Sequence, residues 1–380
     1  ISDSNFGMYK EDLAVADIFA EVKQKYNWPQ FILATTGKNH KTRVIEVSKK
    51  LKGDLHLSGS VQSLDPVVQK NIKRQNIDTQ QLMELNKESL SVGTNTYSEI
   101  ILGLPGDSLS GHYGSLEKII NAKYSFVLAW QLVVLKGTEI DLDETREKYG
   151  LKTKYRVLTK SYGNYEIKKD QNIAVAEIEE IVIAGKSLSF DDYLNARVLN
   201  LVINIFYNDN FLYTFMKIID VCKINRFDWI LEILKQSYKN ENISKILNMF
   251  KDDTRTELWD DKNDLIKFVE DEKNVKKFVD GEYGANLLAK YRVMSVSKYI
   301  EDILNVAKNA TLELFKNKKY NFQNLNFEKF LDEIEKFEYL KKKDFFYPDL
   351  TDDTFHFEYD IIKFLTDFDG SIDNFDLKLN

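Results

Sequence analysis

The 380-residue sequence is poor in the residues that anchor covalent and metal-built sites, with one cysteine, Cys222, and four histidines. A single thiol closes no intrachain disulfide, and no charged, apolar, small-residue leader opens the chain, so a reducing cytoplasm is the expected compartment. The histidines His40, His56, His112 and His356 stand apart, with no pair at helical metal-ligand spacing, which argues against zinc. Four prolines and 16 glycines are too few for collagen-like or low-complexity classes. No apolar run approaches the roughly 20 residues that span a bilayer; the longest, 126–130 and 199–206, stop far short, so no membrane partner is expected. Positive charge is also lacking. The net charge is -7, and residues 1–200 carry 26 basic against 26 acidic side chains, so the whole excess of acid lies in 201–380. Such a surface gains nothing from counterion release, which leaves nucleic acid unexpected as a partner and makes the lysine clusters solvated faces. Phosphate-loop signatures fail too. Thr36-Gly37-Lys38-Asn39 has Asn where Ser or Thr is needed and Ile32 where the first glycine belongs, and Gly103, Gly106 and Gly111 miss the dinucleotide spacing.

What is present is an ample core: 43% of residues are hydrophobic and 13% aromatic, enough for two or three domains at about 150 residues each. The first 140 residues alternate short β-type runs with helical patterns, as βα units around a parallel sheet do. Strands are expected at 31–34, 54–61, 94–102 and 126–135, and helices at 41–51, 65–73, 79–90 and 109–122, the second of these opened by Asp65-Pro66. Four strands with intervening helices describe part of a βα barrel or an open parallel sheet. Residues 141–170, with short mixed runs and the turn cluster 161–165, mark the expected border. Beyond it, apolar residues recur at helical spacing over 174–183, 190–206, 212–221, 229–236, 265–278, 287–315 and 327–337. The expected organisation is therefore an α/β core over 1–150, a connecting segment and helix over 151–205, and an acidic, mainly helical domain over 206–380. Cys222, within an apolar helix, reads as a core residue, and so do aromatics such as Tyr207, Phe211, Tyr213, Phe345, Phe346 and Tyr347.

Three segments carry polar residues where a barrel places its site: Asp3 to Asp12, Ser60 to Pro66 leading on to Arg74, and Ser98-Glu-Ile-Ile-Leu-Gly-Leu-Pro-Gly-Asp107. In order, spacing and strand placement these resemble the radical S-adenosylmethionine (SAM) superfamily. The resemblance falls in its branch containing oxygen-independent coproporphyrinogen dehydrogenase and the cobalamin-binding radical SAM enzymes. It covers residues 1–150 and, less fully, 177–208, where Phe190 to Arg197 looks like a helix that follows the barrel in cobalamin-binding members. The fold it implies is a partial radical SAM (βα) barrel. SAM offers an ammonium, a carboxylate, a ribose diol and an adenine, so its site needs acceptors for the diol and a cation for the carboxylate. Carried over, Gln62 and Ser60 bond SAM polar groups, Arg74, on the helix after that strand, pairs with its carboxylate, and Glu99 accepts from the ribose hydroxyls. Asp3, at the end of a strand, and Asn5 abut the methionine moiety, and Thr35 and Thr36 point the same way. Other readings stand beside these: Gln62 as a helix cap, Arg74 as a surface cation, Glu99 as the partner of a structural lysine, and Asp3 and Asn5 as caps.

The resemblance implies reductive cleavage of SAM at a [4Fe-4S] cluster to a 5'-deoxyadenosyl radical that attacks a small-molecule substrate. A reductant such as flavodoxin or ferredoxin would feed it, and a preceding cobalamin-binding domain would add methyl transfer or rearrangement. The sequence departs from the family in one respect: a Cys-x-x-x-Cys-x-x-Cys loop is absent, and one cysteine cannot hold such a cluster. Either the first βα unit with its cysteines lies upstream, which the start at Ile1 favours, or the cluster was lost and the chain is a non-catalytic SAM- or partner-binding protein. An unrelated α/β enzyme whose strand-end polar groups imitate the pattern is the third reading.

Overall fold

Along 96–102 buried and half-exposed residues alternate without exception, the pattern of a strand with one face packed and one open, and this segment is the centre of the only three-stranded sheet among the described residues. The computed structural model describes residues 1–30, 32–37, 40–52, 54–55, 57–74, 79–91, 96–168, 171–318, 325–346 and 354–366. Expectations on Phe31, Lys38, Asn39, His56, Tyr347 and Pro348, and on the side chains of Phe345 and Phe346, lie outside them. The chain divides into two units, Ile1–Leu132 with Asp143–Leu151 and Ala184–Ser189, and Val133–Leu142 with Lys152–Ile183 and Phe190–Asn380.

The first unit is the α/β one. Its helices are α1 (Glu11–Tyr26), α2 (Lys41–Lys50), α3 (Pro66–Asn71), α4 (Thr79–Ser91), α5 (Leu109–Asn121) and α6 (Asp143–Tyr149), and its strands are β1 (Leu57–Ser58), β2 (Thr96–Leu102) and β3 (Phe126–Gln131). The strands are parallel in the order β1-β2-β3. Isolated parallel bridges Phe6↔Thr36, Ile32↔Leu55 and Gln62↔Ile100 continue the pairing, so segments near residues 6, 32–36, 55–62, 96–102 and 126–131 neighbour one another in sequence order. Parallel neighbours need a crossover each, and the helices supply it. The result is a parallel α/β sheet; the strands expected over 31–34 and 54–61 shrink to bridges and the two-residue β1. The helix-side face is closed by Phe6, Ala16, Ile32, Ala34, Val47, Leu51 and Leu55. On β2 that face shows small polar groups tied down in place: Thr96 Oγ1 donates to Asn86 Oδ1 of α4 at 2.6 Å, and Asn86 Nδ2 donates to the Lys123 carbonyl at 3.2 Å.

Helix signals read correctly where a cap was legible. Asp65 accepts from the Val67 and Val68 amides at 2.8 and 3.0 Å and starts α3, which ends at Asn71 instead of running to Lys73. Arg74 therefore sits in the turn beyond α3, after a left-handed Lys73, and is not on the helix as expected. The helix α1, unannounced in the sequence because little of it is buried, follows a turn in which the Asp12 carboxylate accepts from Gly7 and Tyr9 amides at 2.8 and 2.9 Å. Asp3 is not at a strand end; it accepts from the Asn5 amide at 2.8 Å in a local turn.

The second unit is a two-stranded ribbon, β4 (Lys152–Lys168) and β5 (Gln171–Ala184), with the helices α7 (Phe190–Phe206), α8 (Tyr213–Val221), α9 (Arg226–Lys239), α10 (Glu241–Thr256), α11 (Lys262–Glu270), α12 (Glu272–Val279), α13 (Leu287–Lys298), α14 (Ile300–Lys318), α15 (Phe327–Phe346) and α16 (Ile361–Thr366). The helix expected over 174–183 is strand β5. Its Ile173, Val175 and Glu177 are exposed while Ala174, Ala176 and Ile178 pack on Leu265, Val275 and Phe278, a period of two and not 3.6. The run expected as one helix over 265–278 breaks at Asp271, whose side chain accepts from the Lys273 amide at 2.9 Å and caps α12. The run over 287–315 likewise breaks at Tyr299. At the centre lies α7, buried almost all round and packed by α9, α10 and α13. Among the described residues no helix is long and apolar enough to cross a membrane.

Candidate functional site

The open face of the parallel sheet carries the polar residues. Along β2 the half-exposed positions are Tyr97, Glu99 and Ile101; parallel register places Phe126, Leu128 and Trp130 of β3 beside them. On the other flank Ser58 pairs with Tyr97, but the next bridge joins Gln62 to Ile100, so one extra residue has entered the 58–62 segment. The Glu99 carbonyl shows where: it accepts from both the Val61 and Gln62 amides, at 3.2 and 2.8 Å. This is a β-bulge, with Gln62 at φ 62°, and bulges re-aim side chains beside functional sites.

The Glu99 carboxylate is held on both oxygens. Ser60 Oγ donates to Oε2 at 2.7 Å and the Trp130 indole N–H donates to Oε1 at 3.2 Å. Ser60 and Ser58 hydroxyls meet at 2.7 Å, and Ser58 bonds the Tyr97 hydroxyl in turn. Burial, more than the nearby Glu99 charge, pushes the Tyr97 hydroxyl above its ordinary range, against the Ser58 hydrogen bond. The Arg74 guanidinium donates to the Ser60 carbonyl at 3.2 Å; half-burial draws its pKa down and the Glu99 charge opposes that. A guanidinium remains a cation under either influence. The face thus offers a fixed carboxylate with lone pairs to spare, a cation and hydroxyls within one cluster.

Of the residues expected from the sequence, the structure brings Ser60, Arg74 and Glu99 together and adds Gln62 through the bulge. Asp3, Asn5 and Thr35 share no hydrogen bond with that cluster among the described residues. Thr35 is exposed, and its carbonyl pairs with the Phe6 amide at 3.1 Å. It is Thr36, buried, whose hydroxyl accepts from the Ser58 amide at 3.1 Å and supports the neighbouring segment. Sequence reasoning missed Trp130, Tyr97 and Ser58. The signal that could have found them is the two-residue period on strands flanking Glu99.

The turn 103–107 closes β2. Gly106, at φ 84°, has no room for a Cβ beside Asn71 Nδ2, which itself donates to the Pro105 carbonyl at 3.0 Å. Asp107 is buried and accepts from the Gly103 and Ser108 amides at 3.0 and 2.9 Å. Burial, with Asp65 nearby adding to it, pushes its carboxyl up to about 6, against those two bonds. A carboxyl whose folded pKa exceeds its unfolded value disfavours the fold once ionised, so this group's contribution falls as pH rises from about 4 to about 6 and is flat above. The full swing is about 3 kcal/mol at 1.36 kcal/mol per unit. Asp107→Asn is expected to remove this slope, so that its stability relative to the parent protein changes by about 3 kcal/mol over that window, measured by urea unfolding at stepped pH. An unchanged slope would dismiss the assignment.

The donor set fits the polar groups of SAM, which carry a diol for a carboxylate and a carboxylate for a guanidinium. It does not fit an iron–sulfur cluster: Cys222, the one cysteine, is buried in the second unit, and burial pushes its thiol far above its ordinary range.

No family model matches the chain. It is similar to the cobalamin-dependent radical SAM methyltransferase TokK of Streptomyces tokunonensis, at 29% identity over 157 residues, 40% of this chain and 23% of the relative. It is similar to the same extent, 29% over 157 residues with the same coverage, to the 2-(S-pantetheinyl)-carbapenam-3-carboxylate methyltransferase of Streptantibioticus cattleyicolor. The chain thus spans about a quarter of the length of the curated relatives it matches. These are distant relatives, and they lie within the superfamily that the three sequence segments resemble.

Proposed function

We propose that the first unit is the SAM-binding part of a cobalamin-dependent radical SAM enzyme that transfers a methyl group to a small-molecule substrate. The observation that supports it is the Ser60–Glu99–Trp130 cluster beside Arg74, four residues on separate segments gathered on the one open sheet face. In this reading Glu99 accepts the ribose hydroxyls, held in orientation by Ser60 and Trp130 so that no rotamer freedom is lost on binding. Arg74 pairs with the amino-acid carboxylate, and Gln62, at the bulge beside Glu99, bonds further polar groups of the same ligand. SAM in such enzymes supplies the methyl group and the hydrogen-abstracting adenosyl fragment. In this reading the three cysteines of the iron–sulfur loop and the cobalamin site are supplied from outside the 380 residues, and a flavodoxin- or ferredoxin-like reductant delivers the electron.

The coding sequence 5' of the Ile1 codon tests the reading. A Cys-x-x-x-Cys-x-x-Cys loop one βα unit upstream, with iron and sulfide in the natural protein, is the expected result. A start codon with no such loop would reject the radical mechanism. The second reading, a cluster-less SAM-binding protein, rests on the solitary, inert Cys222 and would then replace it.

A further inference from the structure

We propose that Trp130 is a recognition residue of this face, anchoring Glu99 through its indole N–H and offering its exposed ring as the stacking surface for an adenine base. The inference rests on the reading that Glu99 accepts ribose hydroxyls.

Trp130 pairs with Ile101, yet its nitrogen reaches diagonally to the carboxylate of Glu99, whose own partner is Leu128. Diagonal reach of this kind is open to a long aromatic on a sheet face. The ring therefore lies beside the carboxylate with its polar atom engaged, and 51% of the residue remains exposed. A tryptophan kept for packing behaves otherwise: Trp229 donates its N–H to Thr311 Oγ1 at 3.0 Å and is fully buried. An exposed indole next to an immobilised carboxylate presents two features that one ligand class matches together. A nucleoside joins a planar π face to a vicinal diol, and base stacking on an aromatic tolerates any orientation of the base edge. The carboxylate keeps two of its four lone-pair sites after Ser60 and Trp130 are served, enough for both hydroxyls. Trp130 thereby acts twice, through its ring on the base and through Glu99 on the sugar.

The two roles separate by substitution. Calorimetric titration of the full-length protein with adenosine and with 2'-deoxyadenosine is compared for the parent, Glu99→Ala, Trp130→Phe and Trp130→Ala. Trp130→Ala is expected to weaken adenosine about tenfold, the loss of one base stack. Trp130→Phe keeps a ring and recovers most of that affinity. It lacks the N–H, so the preference for adenosine over 2'-deoxyadenosine falls about threefold, as one lost hydrogen bond allows. Quenching of tryptophan fluorescence by adenosine, present in the parent, disappears in Trp130→Phe. If Glu99→Ala weakens adenosine while Trp130→Ala does not, the role of Trp130 is overturned and the reading of Glu99 stands. If the parent binds no adenosine, or Glu99→Ala binds it equally well, that reading fails and the inference fails with it. If Trp130→Phe binds as weakly as Trp130→Ala, stacking is excluded.

Discussion

Glu99→Ala is expected to weaken SAM binding by about a hundredfold or more, since two charge-assisted hydrogen bonds at roughly 1.5–3 kcal/mol each are lost. The expectation follows from orientation as much as from charge. Ser60 and Trp130 fix the carboxylate before a ligand arrives, so the interaction bears no ordering cost that would dilute it. Folding should be nearly unaffected, because Glu99 is half-exposed and water can satisfy the Ser60 hydroxyl and the Trp130 N–H once the carboxylate is gone. Calorimetric titration with SAM alongside thermal unfolding separates the outcomes. Unchanged affinity with a lowered melting temperature would make Glu99 a structural partner of Arg74 and nothing more.

Glu338→Ala is expected to destabilise the helical unit by about 3–5 kcal/mol, the cost of breaking a buried ion pair from one side. Glu338 is fully buried on α15; it binds Lys342 one turn on and accepts from the Thr214 amide at 3.1 Å, at the start of α8. Its removal leaves a helix N-terminus without that acceptor and an ammonium over the Phe211 ring, 4.8 Å from the centroid, without its anion. Burial already draws the Lys342 pKa down, and Glu338 is what opposes it. Without Glu338 the lysine loses its proton more readily, so the penalty is greatest at neutral pH and shrinks as pH rises and the ammonium is neutralised. Glu338→Ala with Lys342→Met is expected to recover most of the loss. Urea unfolding at pH 7 and pH 9.5 measures both; a penalty that grows toward pH 9.5 would overturn the account.

Local chemistry made much of the first unit legible. Asp65-Pro66 starts a helix, the run 96–102 reads as a strand, and the turn at Gly103-Leu104-Pro105-Gly106 stops it, because caps, alternation and φ > 0 are properties of a few adjacent residues. Glu99 stood out for the same reason, a carboxylate in an apolar strand. The helix expected over 174–183 is a strand because Ala174, Ile178, Ile181 and Val182 fall at helical spacing in the sequence while Ala174, Ala176 and Ile178 make a strand face, and only pairing with β4 and packing on α11 and α12 decide between the two.

By itself the sequence determined that the first part holds βα units around a parallel sheet, that apolar residues at helical spacing follow it, and that a carboxylate, a cation and hydroxyls occur near residues 99, 74 and 60. Tertiary structure alone decided that these groups meet. The bulge at Val61–Gln62 shifts the register by one residue opposite Glu99, Arg74 leaves α3 to bond the Ser60 carbonyl, and Trp130 reaches Glu99 from a strand 31 residues away in sequence. Register and diagonal contact depend on how two strands lie side by side, a relation between distant residues that no local pattern encodes.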